Sequence, residues 1–142
     1  RISVSSREVP FYSCLLVAFY SVWTRFKYYY VVLSNIYEQC CYFAQHINVL
    51  ATKPLTVFDP NSRFNNRYID ISRTMVLYLA NSLFPKEILD GYFSGEVCND
   101  KVLYASMFLN IVMKAPYSHK KGRLDTLKNW EEYLVSNKKL LE

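Results

Sequence analysis

The feature that most constrains this sequence is the stretch from Phe11 to Leu50, which carries formal charge at only three of its positions. Burying so much apolar and aromatic surface stabilises a fold by about 25 cal/mol per Å², so this stretch must lie inside. It contains neither glycine nor proline, and no hairpin turn is therefore marked. Its length favours helices over buried strands. We predict two helices, at about 11–24 and 27–50.

The rest of the chain also has helical patterns. Further helices are predicted at about 67–84, 85–93, 100–114 and 124–140, with Asn99 or Asp100 as an N-cap and an interruption at Asn137. Residues 1–9 are predicted to form an extended arm, and 56–66 and 115–123 to form loops. The expected fold is all-α and a single domain over 1–142. It is a compact bundle or a short α-solenoid-like stack of about six helices around the aromatic N-terminal helix pair.

Composition and charge point to contact surfaces more than to chemistry. Aromatic residues make up 17% of the chain, with 13 tyrosines, and the net charge is +5. Tyrosine buries a large ring and still needs a partner for its hydroxyl, so it suits semi-apolar interfaces. The positive charge favours anionic partners by long-range attraction. The chain begins at Arg1, which we interpret as a processed product or a piece of a longer protein.

The four cysteines show no framework spacing, and Cys40 and Cys41 are adjacent. An adjacent pair cannot close on itself without distortion. We therefore expect reduced, buried thiols and an intracellular protein, cytoplasmic or nuclear.

Residues that could carry catalysis are few and scattered. A zinc site from Cys40, Cys41, His46 and Cys98 lacks the paired ligand spacing of known zinc sites. Cys98 is the one thiol predicted to lie in a polar loop, before a helix start that could lower its pKa. The glycines form no phosphate-binding loop. We predict no enzyme activity, no metal and no cofactor.

The leading hypothesis is a non-enzymatic interaction module or structural subunit. It would bind another protein chain, or a second copy of itself, through an aromatic and apolar surface. The residues predicted to contact this partner are Tyr28, Tyr29, Tyr30, Trp130 and Tyr133.

Two alternatives remain open. The first is an RNA- or DNA-binding domain, because cations beside aromatic rings suit phosphates and bases. Its predicted contacts are Arg63, Arg67, Lys120, Lys121 and Arg123. The second is a helical subunit embedded in a membrane assembly, although the uncharged run before Arg25 has about 16 residues and a spanning helix needs about 20.

Overall fold

The computed structural model describes residues 8–27, 33–53, 56–58 and 67–142, and these ranges contain six α-helices and two short strands. The elements are β1 Glu8–Pro10, α1 Phe11–Phe26, α2 Ser34–Ala51, β2 Thr56–Phe58, α3 Arg67–Leu79, α4 Lys86–Phe93, α5 Asp100–Lys120 and α6 Leu124–Asn137, followed by a 3-10 turn at Lys138–Leu141. The predicted all-α bundle is confirmed. Buried residues from all six helices join one hydrophobic core, while the single domain over the whole chain stays a prediction.

Helix α5 is the centre of the bundle, as its broad apolar pattern predicts. Its N-cap is Asn99, whose Oδ1 accepts hydrogen bonds from the backbone N–H groups of Lys101 at 3.1 Å and Val102 at 3.2 Å. Every residue from Val102 to Val112 is buried. Because it packs against α1, α3 and α6 on its different sides, α5 needs apolar residues almost all round.

The aromatic centre predicted for the N-terminal helices is present. The ring of Phe43 on α2 stacks on Phe108 of α5 with centroids 4.1 Å apart, and Phe19 of α1 meets Phe43 edge-on at 4.8 Å. Such pairs contribute about 0.5–1.5 kcal/mol beyond the area that they bury. In the described residues, the first two helices are therefore covered by later parts of the chain.

Helix α5 continues where the sequence predicted a loop. The prediction of a loop at 115–123 is wrong, because the helix runs through Pro116 to Lys120. Proline removes one backbone donor, but close to a helix end few turns are left to distort. Gly122, two residues after the last helical residue, has a φ of 72°, and the Arg123 N–H donates to the Ser118 carbonyl at 2.9 Å. This arrangement satisfies carbonyls that the helix end would leave free.

Other helix ends lie closer to their predicted positions. Helix α3 stops at Leu79 instead of residue 84, and a turn follows with Ser82 at a φ of 62°. Helix α6 ends at Asn137, the predicted interruption, and continues as the 3-10 turn. Residues 28–32, predicted as the start of the second helix, lie outside the described residues.

The predicted arm and loop include a small sheet. Strand β1 pairs with β2 in antiparallel register, with Val9 opposite Val57 and Pro10 opposite Thr56. Valine and threonine favour extended strands, so their β-branched side chains suit these positions, while the rest of the fold brings the two segments together. The ladder fixes the chain at the residue where α1 begins.

Candidate functional site

The aromatic residues predicted on helix α6 belong to packing within the bundle. Trp130 is 2% exposed, and its indole N–H donates to the Val76 carbonyl at 3.0 Å. Its heptad-like spacing therefore marks a core position, and it is not accessible to a partner in this fold. The half-buried Tyr133 ring lies 5.7 Å from the ring of Phe84 and 5.8 Å from that of Tyr104. Burial, and then the negative charge of Asp100, raises the pKa of Tyr133.

Tyr28, Tyr29 and Tyr30, the other predicted partner contacts, lie outside the described residues, as does Arg63. The structure thus leaves Arg67, Lys120, Lys121 and Arg123 as the predicted site residues whose surface positions can be described.

The basic residues predicted to contact nucleic acid lie near opposite ends of α5. Arg67 neighbours Tyr68, whose hydroxyl accepts a hydrogen bond from the Asn99 N–H at 3.0 Å, at the start of α5. Lys120 is the last residue of that helix, which has 21 residues. At 1.5 Å per residue the two ends are about 30 Å apart. Arg67 and the group at Lys120 therefore belong to two separate surfaces.

Arg67 is occupied by its own protein. Its guanidinium pairs with the Glu96 carboxylate at 2.5 Å and lies 5.0 Å from the centroid of the Phe93 ring. The charge is matched by a carboxylate and the aromatic surface beneath it is covered. This arrangement ties the start of α3 to the end of α4.

At the other end of α5, cations surround an exposed tyrosine. The Nζ of Lys121 lies 5.5 Å from the centroid of the Tyr117 ring, and the guanidinium carbon of Arg123 lies 5.9 Å from it. Within the described part of the chain, no carboxylate is in ion-pair distance of either cation or of Lys120. Asp125 follows in sequence, in the first turn of α6, where it faces the positive helix end.

A cleft opens beside this group, between the C-terminal halves of α1 and α5. Its volume is about 430 Å³. Six lining residues are apolar or aromatic and two are cations, and we call it the basic cleft. The lining residues are Val22, Arg25, Phe26, Val112, Met113, Pro116, Tyr117 and Lys120.

The basic cleft is accessible and positively charged. Met113 is 52% exposed and Tyr117 is 56% exposed, while Phe26 and Val112 form a buried floor. The C-terminal ends of α1 and α5 each carry about half a negative charge, so together they offset only about one of the four cations that line or flank the cleft. Those cations are Arg25, Lys120, Lys121 and Arg123.

Sequence reasoning found Tyr117 and its neighbouring cations but missed the α1 side of the cleft. Arg25 was considered there only as the charge that ends the uncharged run of the first helix. A single charge in an otherwise apolar helix must reach the surface, and this signal could have identified a rim residue. Met113 follows the buried run of α5 directly, yet it is exposed.

The four cysteines are free thiols, with Cys40 buried and the other three half-buried. No group of three or more potential metal ligands was found among the described residues. Burial, followed by the charges of Asp100 and Asp90, raises the pKa of the Cys98 thiol. The prediction that a helix start could lower this pKa is therefore wrong. Cys40 is fully buried, and burial raises its pKa strongly.

Among the described helices, none has both the length and the hydropathy that crossing a membrane requires. Comparisons with protein-family models, with curated proteins and with solved structures found no match. Function is therefore inferred from the geometry and chemistry of the basic cleft.

Proposed function

We propose that this protein is a non-enzymatic interaction module that binds another protein chain through the basic cleft. The observation that supports this proposal is an accessible apolar and aromatic lining combined, at one end, with cations that no carboxylate of the described residues pairs. Tyrosine, methionine and arginine are enriched in protein interfaces, and Tyr117, Met113 and Arg25 all border this cleft. A tyrosine ring and a methionine side chain can each cover a partner's apolar surface.

The charge of the cleft argues for a partner different from the protein itself. A symmetric dimer formed cleft to cleft would place Arg25 and Lys120 of one copy near the same cations of the other. Like charges in an interface are unfavourable. The second-copy version of the hypothesis therefore has no support from this surface.

RNA or DNA binding is the second candidate function, and the Tyr117 group favours it. An exposed ring flanked by Lys121 and Arg123 offers a stacking surface beside charges that can meet phosphates. Protein binding ranks first because Val22, Val112 and Met113 add an aliphatic lining that nucleic acids, whose apolar surface is mainly base faces, fill poorly.

The experiment is a selection of random dodecapeptides displayed on phage against the immobilised protein. Selected peptides should bind Met113→Asp at least tenfold more weakly than the wild type, because the substitution removes an apolar contact and introduces a carboxylate beside the cations. Val135→Asp is the matched control, since Val135 is exposed on α6 and does not line the cleft. Selected peptides that bind both variants equally, or a selection that enriches none, would contradict the proposal.

The second candidate is tested with fluorescein-labelled U20 RNA at 50 and 200 mM salt. Phosphate-driven binding should weaken steeply with salt and be lost when Lys121 and Arg123 are replaced by alanine. If U20 RNA binds in this way and no peptide is selected, nucleic-acid binding replaces protein binding as the function of the cleft.

A further inference from the structure

The two walls of the basic cleft run in the same direction, which gives the cleft an apolar end and a charged end. Phe19 of α1 contacts Phe108 of α5, with ring centroids 6.1 Å apart. Later residues of α1, from Val22 to Phe26, line the cleft together with later residues of α5, from Val112 to Lys120. Positions therefore rise together along both helices, and Arg25 lies nearer the Lys120 end than Val22 does.

The cleft is long enough to separate two kinds of contact. Met113 and Lys120 are seven positions apart on α5, and the rise of an α-helix makes this about 10 Å. An extended peptide advances about 3.3 Å per residue, so about three of its residues span that distance. An apolar side chain at the Met113 end and a carboxylate at the Lys120 end can thus belong to one short segment.

The positive charge at the Lys120 end of the cleft favours an anionic occupant. Arg25 and Lys120 line the cleft, and Lys121 and Arg123 lie beside Tyr117 at its edge. None of these four cations has a carboxylate in ion-pair distance within the part of the chain that the structure describes. An occupant with several carboxylates would be complementary to this end, whereas a basic occupant would be repelled.

We propose that the basic cleft binds an acidic segment of a partner protein, in extended form, with an apolar residue between Val22 and Met113 and carboxylates against Arg25 and Lys120. This inference rests on the proposed function and specifies its partner. The partner segment has apolar residues at one end and a run of aspartate or glutamate within about three residues of them.

The test uses three synthetic peptides of equal length, each labelled with fluorescein and titrated with the full chain. The first has three leucines followed by four glutamates, the second has the same residues in alternating order, and the third has lysine in place of each glutamate. The first should bind at least tenfold more tightly than the third, and its affinity should fall between 50 and 500 mM salt. The alternating peptide should bind more weakly than the first, because it cannot place all of its charges at one end.

The decisive variant reverses two charges, Arg25→Glu with Lys120→Glu. It should lose roughly tenfold or more in affinity for the glutamate peptide and gain affinity for the lysine peptide. Lys53→Glu with Lys139→Glu is the matched control, since it changes the net charge equally at exposed residues that do not line the cleft. All four substituted residues are exposed and lie at or near the ends of their elements. Each double variant should therefore still melt in one cooperative transition, with at most a small loss from placing glutamate at a helix C-terminus, and thermal melting checks this.

The outcomes separate this inference from the proposed function. If the charge-reversed variant binds the glutamate peptide as the wild type does, or the lysine peptide binds equally well, the acidic occupant is wrong. If peptides without glutamate bind and Met113→Asp abolishes their binding, the protein-binding function stands and only the acidic occupant fails. If U20 RNA binds through Arg25 and Lys120 and none of the peptides binds, both proposals fail.

Discussion

Two of the places in this molecule where a cation lies over an aromatic ring differ in what completes them. At the start of α3, Arg67 covers the Phe93 ring and is paired with Glu96. At the end of α5, Lys121 and Arg123 flank the Tyr117 ring, and in the described residues no carboxylate pairs with them. The first group is closed by its own protein, whereas the second offers both a ring and net charge to another molecule.

The difference shows that a cation beside an aromatic ring in the sequence is not by itself a binding signal. Glu96 lies 29 positions from Arg67 and pairs with it only because α4 returns the chain to the start of α3. Arg67 and Glu96 use their charges to join α3 to the end of α4. The group around Tyr117 and the basic cleft keeps a net positive charge, because its four cations carry more charge than the two helix C-termini beside them offset.

The largest expected effect is on the free energy of unfolding, when the Phe93 ring or the Tyr117 ring is removed. Phe93→Ala should lower the free energy of unfolding by about 3–5 kcal/mol, because Phe93 is buried in the core. Tyr117→Ala should change it by less than about 0.5 kcal/mol, because that ring is exposed. Urea denaturation of both variants measures the difference. Equal destabilisation would mean that the Tyr117 group is also structural.

A second prediction concerns Tyr12, a tyrosine of the core. Burial raises the pKa of Tyr12 from 10.0 to about 12. The folded chain therefore holds the phenolic proton more tightly than the unfolded chain, and this contribution is complete below pH 10 and lost as the pH rises towards 12. Allowing for solvent screening, the loss is about 1 kcal/mol.

The measurement is the free energy of unfolding of the wild type and Tyr12→Phe at several values between pH 9 and pH 12. The wild type should lose stability relative to the variant across this range, because phenylalanine has no proton to release. Parallel curves for the two proteins would show that Tyr12 ionises as freely in the folded as in the unfolded chain.

The smallest expected effects concern the cations themselves. Arg67→Met should destabilise the fold by up to about 1 kcal/mol, since it breaks a partly exposed ion pair and leaves Glu96 alone. Lys121→Met and Arg123→Met should each stay within about 0.5 kcal/mol of the wild type. Thermal melting at low and high salt compares them. A larger loss at Arg123 than at Arg67 would reverse the structural assignment of the two groups.

Much of the fold follows from local patterns. The Asn99 cap and the apolar breadth of α5 are local signals, and both predictions hold. The passage of α5 through Pro116 could not be predicted, because proline disfavours a helix locally and packing against neighbouring helices decides the outcome. The pairing of β1 with β2 joins segments nearly 50 residues apart, and a pairing of that kind leaves no local signature.

The candidate site could be predicted only in part. The cluster of Lys120, Lys121 and Arg123 near Tyr117 is visible in sequence because the residues are neighbours. Arg25 joins them through the parallel packing of α1 and α5, which no pattern within either helix shows. Trp130 was predicted to contact a partner, whereas its burial and its hydrogen bond to the Val76 carbonyl on α3 place it in the core.

The most direct test of the claim that the basic cleft is the binding site is a nuclear magnetic resonance titration of the 15N-labelled protein. The titrant is the peptide with three leucines followed by four glutamates. Changes in amide chemical shift should concentrate in 22–27 and 113–123, with none beyond error around Arg67 and Tyr92. Shifts around Arg67 and Tyr92, with none beside the basic cleft, would contradict the claim.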